Sequence, residues 1–373
     1  MQLDIARTPA LVLDHDRVRA NARRMSDAAH RHNVRLRPHI KTHKCIEVAR
    51  IQTEGQDGAI TVSTLAEARA FAQNGFADIT YAVPIEPGKF ADAVEVLRGG
   101  TKLNLLTDDA ETVRRLDAAA GDAGATFDVF VKIDCGTHRV GVEPHTAEAV
   151  DIPRTIADSK NLTFAGILTH AGHSYDAKTP EGIAAVARHE RDSMVELAEK
   201  LRKEGIDVPT VSIGSTPTMT HIEHLDGIDE IRPGNYIFFD NYQATLGSCS
   251  LDDTALTVLT AVIHKDVGRR KLVVDAGAIA LSKDRGPVGL DPGCGYGRVL
   301  DITGKDTGMR VTGMSQEHGE VAAGESEAFD GLRVGDRLRI LANHSCLTAA
   351  QHSHYNVVED GRVVDRWAIH RGW

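Results

Sequence analysis

The feature that most constrains this chain is a regular alternation of short apolar runs with amphipathic ones, sustained from residue 11 to residue 239. Apolar, β-branched runs at 11–13, 34–36, 59–62, 79–83, 103–106, 127–133, 164–168, 210–213 and 230–239 read as strands. The stretches between them read as helices, as in the first, where Val18, Ala22, Met25 and Ala29 recur at helical spacing. Strand and helix repeating in turn demand parallel strands joined by right-handed crossovers. The run 127–133 is apolar almost throughout, as suits a strand buried on both faces. Close to eight such units in about 240 residues is the size of one (β/α)8 barrel. An open doubly wound sheet is the alternative.

After Asp240 the texture changes. Strand-like runs at 255–264, 271–275, 296–302, 310–314, 337–342, 355–359 and 363–369 are separated by turns rich in Gly and Asp, among them the hairpin signal Asp360-Gly361. A chain of 373 residues exceeds one ordinary core. We therefore expect an α/β barrel over residues 11–243 and a mostly β domain over 244–373, joined by residues 1–10.

Composition narrows the classes. Hydrophobic residues at 42% and charged residues at 26% describe a soluble globular protein. A net charge of −10 argues against a general nucleic-acid binder. No apolar stretch is long enough for a bilayer, and Met1-Gln2-Leu3-Asp4-Ile5 lacks the basic-then-apolar pattern of an export signal, so a cytoplasmic protein without membrane partners is expected. Five scattered cysteines, Cys45, Cys135, Cys249, Cys294 and Cys346, form no CxxC pair. A disulfide framework is not expected, which leaves thiols for chemistry.

Arg37-Pro38-His39-Ile40-Lys41-Thr42-His43-Lys44 lies between a strand and a helix. Pro38 biases Arg37 towards extended geometry, so the strand ends here, and barrel active sites lie at the carboxyl ends of their strands. Lys41 is flanked by Arg37, His39, His43 and Lys44, and neighbouring positive charge disfavours its ammonium form. A neutral amine can attack a carbonyl and form a Schiff base. Taken alone the segment reads as a basic, solvated turn; the rest of the chain reverses that preference.

Other strand ends carry further groups. Asp134-Cys135-Gly136-Thr137-His138-Arg139 offers Arg139 to a phenolate or carboxylate. Thr169-His170-Ala171-Gly172-His173-Ser174-Tyr175 offers an imidazole that can stack on an aromatic cofactor and a phenol that can bond its periphery. Gly214, Ser215 and Thr216 present consecutive N–H groups and hydroxyls suited to a phosphate dianion. Pro233-Gly234-Asn235-Tyr236 supplies a second loop where barrels bind phosphate. In an extended conformation His344 and Cys346 face the same way, and imidazole with thiolate suits zinc. Two protein ligands leave positions open for substrate and water. Gln316-Glu317-His318 is a weaker polar cluster that could face the same cleft. Each motif alone has a plain reading as a turn, a loop histidine or a buried thiol.

Taken together with Ser63-Thr64-Leu65-Ala66-Glu67-Ala68, Ser315-Gln316-Glu317-His318-Gly319 and the terminal Arg371-Gly372-Trp373, these motifs resemble the zinc-dependent D-serine dehydratases and the D-threo-3-hydroxyaspartate dehydratases. The likeness runs in order over nearly the whole chain. More distantly the sequence is similar to D-threonine aldolases and alanine racemases. The resemblance implies an alanine racemase-type (β/α)8 barrel with a C-terminal mostly β domain, and pyridoxal 5'-phosphate held through Lys41. It also implies Zn2+, or Mn2+ or another divalent ion, on His344 and Cys346. By the same likeness His170 stacks on the pyridine ring, Arg139 lies near its phenolic oxygen, and His39 and Tyr175 line the cofactor. Gly214, Ser215, Thr216, Gly234, Asn235 and Tyr236 form the phosphate cup. Lys41 and Tyr175 are the implied catalytic groups. Arg232 precedes Pro-Gly as the ring-nitrogen arginine of alanine racemases does.

The activity implied is dehydration of a D-3-hydroxy amino acid (D-serine, D-threonine or D-threo-3-hydroxyaspartate) to a 2-oxo acid and ammonia, by a head-to-tail homodimer. D-threonine aldolases carry an aspartate where Cys346 stands, so this position speaks for dehydration over retro-aldol cleavage. A racemase, with Tyr175 as its second acid/base, and a cofactor-carrying protein without catalysis are the remaining alternatives.

Overall fold

The alternation resolves into a ring of parallel strands. In this computed structural model, which describes Leu3, Ile5 and residues 7–373, β1 (Ala10–Asp14) leads into α1 (His15–Arg31). There follow β2 (Arg35–Leu36), α2 (Ile46–Gln52), β3 (Ile60–Val62), α3 (Leu65–Ala72), β4 (Asp78–Pro84), α4 (Phe90–Arg98), β5 (Lys102–Thr107) and α5 (Ala110–Ala123). The run ends with β6 (Phe127–Lys132), α6 (Glu148–Ala157), β7 (Leu162–Leu168), α7 (Pro180–Lys203), β8 (Val211–Ile213), α8 (Thr216–His221) and β9 (Glu230–Ile231). Strands β2 to β9 form an eight-stranded sheet ordered β2-β9-β8-β7-β6-β5-β4-β3. A parallel bridge between His39 and Thr61 joins its two outer strands and closes the ring. Leu106, Phe130 and Leu168, from β5, β6 and β7, form one of its apolar clusters.

The remaining strands are β10 (Leu256–Asp266), β11 (Lys271–Val274), β12 (Gly297–Leu300), β13 (Asp306–Met314), β14 (Gly319–Ala322), β15 (Arg337–Ala342), β16 (His354–Glu359) and β17 (Arg362–Ala368). With β1 they make a nine-stranded sheet ordered β11-β14-β13-β12-β15-β10-β1-β16-β17, and a second pairing of β10 with β11 closes part of it on itself.

Here the structure corrects the sequence reading. The strand at 11–13 does not open the barrel: Val12 pairs with Thr257 of β10 and with Asn356 of β16. Strand and helix order cannot say which sheet a strand joins, and the apolar face of β1 packs on Leu259 and on Leu3 and Ile5. The segment read as a strand at 230–239 is one only at Glu230–Ile231, followed by a 3-10 turn at Asn235–Ile237.

The chain divides into two compact units. The barrel unit comprises Arg24–Lys41, Ala49–Gly234 and His370–Trp373; the β unit comprises the described residues through Arg23 with Thr42–Val48 and Asn235–Ile369. Of residues 1–10, expected to join the β domain, Met1, Gln2, Asp4 and Ala6 lie outside the described residues. Among the described residues no helix is long and apolar enough to cross a membrane.

One buried ion cluster ties the barrel strands together. The Arg37 side chain is 3% exposed; its Nε donates to Glu230 at 2.6 Å and its Nη1 to Asp78 at 2.7 Å. Asn104 donates to the same Asp78 carboxylate at 2.9 Å, and Ser212 donates to Glu230 at 2.7 Å. Strands β2, β4, β5, β8 and β9 are thus linked through one guanidinium. Burial opposes both charges, yet Arg37 and Arg35 hold the Asp78 carboxyl well below the usual range, and Glu230 and Asp78 hold the Arg37 pKa above its own.

Removing the guanidinium leaves two acids without their cation, so Arg37→Met should cost about 3–5 kcal/mol, read from urea unfolding. Because the folded pKa of Asp78 is depressed, its stabilisation is full above about pH 4 and is lost as pH falls towards that folded value. The stability gap between wild type and Asp78→Asn should therefore shrink progressively below about pH 4.

Candidate active site

In the barrel unit, β2 ends at Leu36, and His39 still pairs with Thr61 before the chain turns through the 3-10 segment Ile40–Thr42 that presents Lys41. The Lys41 N–H points to His39 Nδ1 at 3.4 Å, and His39 Nε2 lies 3.4 Å from Ser63 Oγ. If Nδ1 accepts, Nε2 carries the proton and donates to Ser63. Ser63 is fixed in turn: its N–H donates to Glu67 at 2.7 Å, while Thr64 Oγ1 caps the Glu67 N–H at 3.0 Å. The Ser63–Ala68 motif therefore orients His39, which sits two residues before Lys41.

Two of the residues next to Lys41 in sequence are held by partners of their own. Arg37 is committed to Asp78 and Glu230. His43 falls in the β unit, where its Nδ1 accepts from the Cys45 N–H at 3.1 Å and its carbonyl accepts from Tyr355 at 2.7 Å. Cations from distant parts of the sequence act on His170. Burial first, and then Lys41, Lys132, Arg139 and Arg232, push the His170 pKa well below its usual value, so its ring is neutral.

Lys132 was not singled out by the sequence, whereas Arg232 was noted by likeness to the racemases, and both are buried. Burial and then the charge of Arg232 push Lys132 down to about 8, against the pull of Cys135 and Glu190. Burial likewise pushes Arg232 down to about 10, against Glu230 and Glu190. One Arg232 nitrogen donates to the Thr169 carbonyl, while its Nε finds no hydrogen-bond partner among the described residues. A buried cationic cluster with an unsatisfied donor is suited to an anionic, hydrogen-bond-accepting group. A phosphorylated, phenolic aldehyde cofactor meets that requirement.

The loops around this cluster are tightly specified. Asp134 accepts the N–H groups of Gly136, Thr137 and His138 at 3.0, 2.9 and 3.1 Å and shapes the turn that carries Arg139, whose side chain is exposed. The Thr137 hydroxyl donates to the His170 carbonyl at 2.9 Å and accepts the Gly172 N–H at 2.9 Å. Tyr175 is half-buried in the 3-10 turn Gly172–Asp176. Gly214 has φ +111, and a Cβ there would meet Met219 Cγ at 3.2 Å and the Arg232 N at 3.3 Å, so only glycine fits. Ser215 and Thr218 cap α8 reciprocally, and Ser215 Oγ also meets Ser174 Oγ at 3.1 Å. That hydroxyl already has protein partners, and Thr216 beside it is buried. Gly234 is the last residue of this unit before the chain enters the β unit, three residues after β9 ends at Ile231.

A second cluster forms in the β unit. His344 is extended and Cys346 lies in the first turn of the helix Ser345–Ala349, so the pair is not the continuous strand the sequence suggested. The two side chains still interact. Against the cost of burial, Cys346 and Asp284 raise the His344 pKa well above its usual value. His344 Nδ1 lies 2.7 Å from Asp284 Oδ2, and Cys346 Sγ lies 3.3 Å from Thr42 Oγ1. Asp240 accepts the Ser345 N–H at 2.9 Å and the Asn235 amide at 2.8 Å. Asn235 and Tyr236 are buried in their 3-10 turn. Gln316, Glu317 and His318 lie in an exposed turn after β13.

Asp284 and Asp240 had no sequence signal, because each is some sixty to a hundred residues from its partner, at |i−j| of 60 and 105. Among the described residues no group of three or more His, Cys, Asp or Glu side chains converges on a metal position. Imidazole plus thiol is nevertheless the donor set of a borderline-soft ion with open coordination positions. Burial pushes the buried thiols up, Cys135 to about 12, Cys45 well above its usual value and Cys294 above its own, and all three stay protonated.

The fold and these two clusters define a class, a parallel barrel with a basic, lysine-bearing strand end coupled in sequence to a β unit carrying a histidine and thiol pair. The profile of the alanine racemase N-terminal domain matches residues 13–242, and that of the putative serine dehydratase domain matches residues 255–358. The chain is 40% identical to D-threo-3-hydroxyaspartate dehydratase of Delftia sp. (strain HT23), over 98% of both chains, and the solved structure of that enzyme superposes with a TM-score of 0.94. A cysteine-to-alanine mutant of that enzyme, solved in the metal-free form, superposes with the same TM-score of 0.94. D-serine dehydratase of Dictyostelium discoideum is 35% identical over 98% of this chain and 97% of its own. 3-Hydroxy-D-aspartate aldolase of Paracoccus denitrificans (strain Pd 1222) is 31% identical over 97% of this chain and 91% of its own. The chain belongs to the family of D-serine and D-threo-3-hydroxyaspartate dehydratases, on the alanine racemase fold.

An acid that holds one imidazole nitrogen leaves the other free for a metal and fixes its direction. Asp284→Asn should weaken binding of a divalent ion to the purified protein by about 10–100-fold, measured by competition with a chromogenic chelator.

Proposed function

We propose that this chain is a pyridoxal phosphate- and zinc-dependent dehydratase that converts a D-3-hydroxy amino acid, D-serine, D-threonine or D-threo-3-hydroxyaspartate, to a 2-oxo acid and ammonia. The observation that carries the reading is the His344 and Cys346 pair, backed by Asp284. Racemisation has no use for a metal. Aldol cleavage can use one, but by the resemblance D-threonine aldolases carry an aspartate where Cys346 stands.

In this reading the barrel unit holds the cofactor and the β unit the metal ligands. Lys41 would hold the cofactor, and its amine is the base placed to take the α-proton. Neutral His170 offers a flat ring for stacking without adding charge, while Arg139, Arg232 and Lys132 balance the anionic groups of the ligand. His39, held between Ser63 and the Lys41 N–H, keeps the turn bearing Lys41 in one conformation. Tyr175, Gly214, Ser215, Thr216 and Gly234 line the cofactor in the barrel unit. Bound pyridoxal phosphate supplies an electron sink at the α-carbon, and a divalent ion on His344 and Cys346 supplies a Lewis acid for the β-hydroxyl. Loss of the α-proton and of that hydroxyl yields an enamine, which takes up water and releases ammonia. A cytoplasmic homodimer belongs to the same reading.

The test is to supply zinc and pyridoxal phosphate with each D-3-hydroxy amino acid and assay 2-oxo acid and glycine side by side. Oxo acid without glycine is expected, with activity lost in Lys41→Ala and on chelation that leaves the cofactor bound. Glycine with an aldehyde would make the protein an aldolase and overturn the reading.

A further inference from the structure

α7 carries one acid into the barrel core: Glu190 is fully buried among Ile183, Ala187, Met194 and Leu197 of the same helix. Its Oε1 accepts two backbone N–H groups, that of Ala171 at 3.0 Å and that of Gly214 at 3.1 Å. Ala171 immediately follows His170, and Gly214 opens the loop that leads into α8. A single carboxylate oxygen therefore pins the loop after β7 and the loop after β8 to each other and to a long, well-packed helix.

Neighbouring contacts act in the same sense. Thr137 holds the His170 carbonyl and the Gly172 N–H, and the Ser174 and Ser215 hydroxyls meet at 3.1 Å. No proton or electron of the proposed reaction passes through Glu190. Since its oxygen already occupies the Gly214 N–H, that N–H is not offered to a phosphate, and the contribution of Gly214 is the conformation only glycine allows.

We propose that Glu190 is a positioning residue for pyridoxal phosphate: by bridging the Ala171 and Gly214 N–H groups it fixes the imidazole of His170 and the loop Gly214 to Thr216 in one arrangement before the cofactor arrives. The inference rests on the cofactor reading above. It makes bridging geometry the requirement, and charge secondary. Glutamine offers an oxygen at the same reach, whereas aspartate keeps the charge but is shorter by one methylene and cannot span both donors from α7.

The experiment compares wild type, Glu190→Gln and Glu190→Asp as apoproteins titrated with pyridoxal phosphate. Affinity is measured by equilibrium dialysis, and the orientation of the bound chromophore by visible circular dichroism. Glu190→Gln should bind within about three-fold of wild type with an unchanged dichroic band; Glu190→Asp should bind at least about ten-fold more weakly, with the band reduced. The charge-conserving variant is thus expected to be the worse of the two, which neither a counter-charge role nor general loss of stability predicts. Wild-type binding by Glu190→Asp, or equal loss in both variants, overturns the inference while leaving the cofactor reading intact. Failure of wild type to bind the cofactor overturns both.

Discussion

Arg37 sits where the barrel is hardest to close. β2 has two residues and Pro38 follows it after one intervening residue, so the ladder between the outer strands is reduced to a bridge at His39. So short a strand contributes few backbone hydrogen bonds, and the guanidinium compensates by bonding Glu230 at the start of β9 and Asp78 at the start of β4. The same short strand delivers the chain directly to the 3-10 turn of Lys41. Closing the barrel and presenting the lysine are therefore consequences of one stretch of five residues, Arg37 to Lys41.

The two clusters solve opposite electrostatic problems. In the barrel unit cations are in excess: Lys41, Lys132, Arg139 and Arg232 all act on His170, with Glu190 and Glu230 the acids set against Arg232. Burial disfavours the charged forms and leaves a donor unsatisfied, as the lowered Lys132 and the Arg232 Nε, unpaired among the described residues, show. In the β unit, Asp284 and the thiol favour positive charge on His344. One cluster suits an anion and the other a cation, as a phosphorylated cofactor and a metal ion require.

Much of this was legible in the sequence because periodicity and strand ends are local signals. The parallel strands and the β-rich second half follow from short windows, and the reasons for singling out Lys41 and the His344 and Cys346 pair came from short windows too. What escaped depends on partners far apart in the chain. β1 looked like the first barrel strand because its neighbours are a strand and a helix, yet its sheet is decided by Thr257 and Asn356. Asp284 lies in a Gly-rich loop with no motif of its own, and Gly286 at φ +47 lets that loop pass close to Asn343, beside His344. Glu190 looked like one more acid on an amphipathic helix. Lys132 stood in an apolar strand, where an isolated lysine was a signal left unread.

The position of β1 has a consequence for how the chain is made. Its two neighbours in the sheet are β10, antiparallel, and β16, parallel, so residue 12 is matched to residues 257 and 356. During synthesis the barrel strands emerge while β1 still lacks both partners, and its apolar residues must wait for almost the whole polypeptide. Sheets built from such distant pairings form late and expose strand edges meanwhile. Truncation near the carboxyl terminus that removes β16 along with β17 would therefore take a partner from the first strand as well.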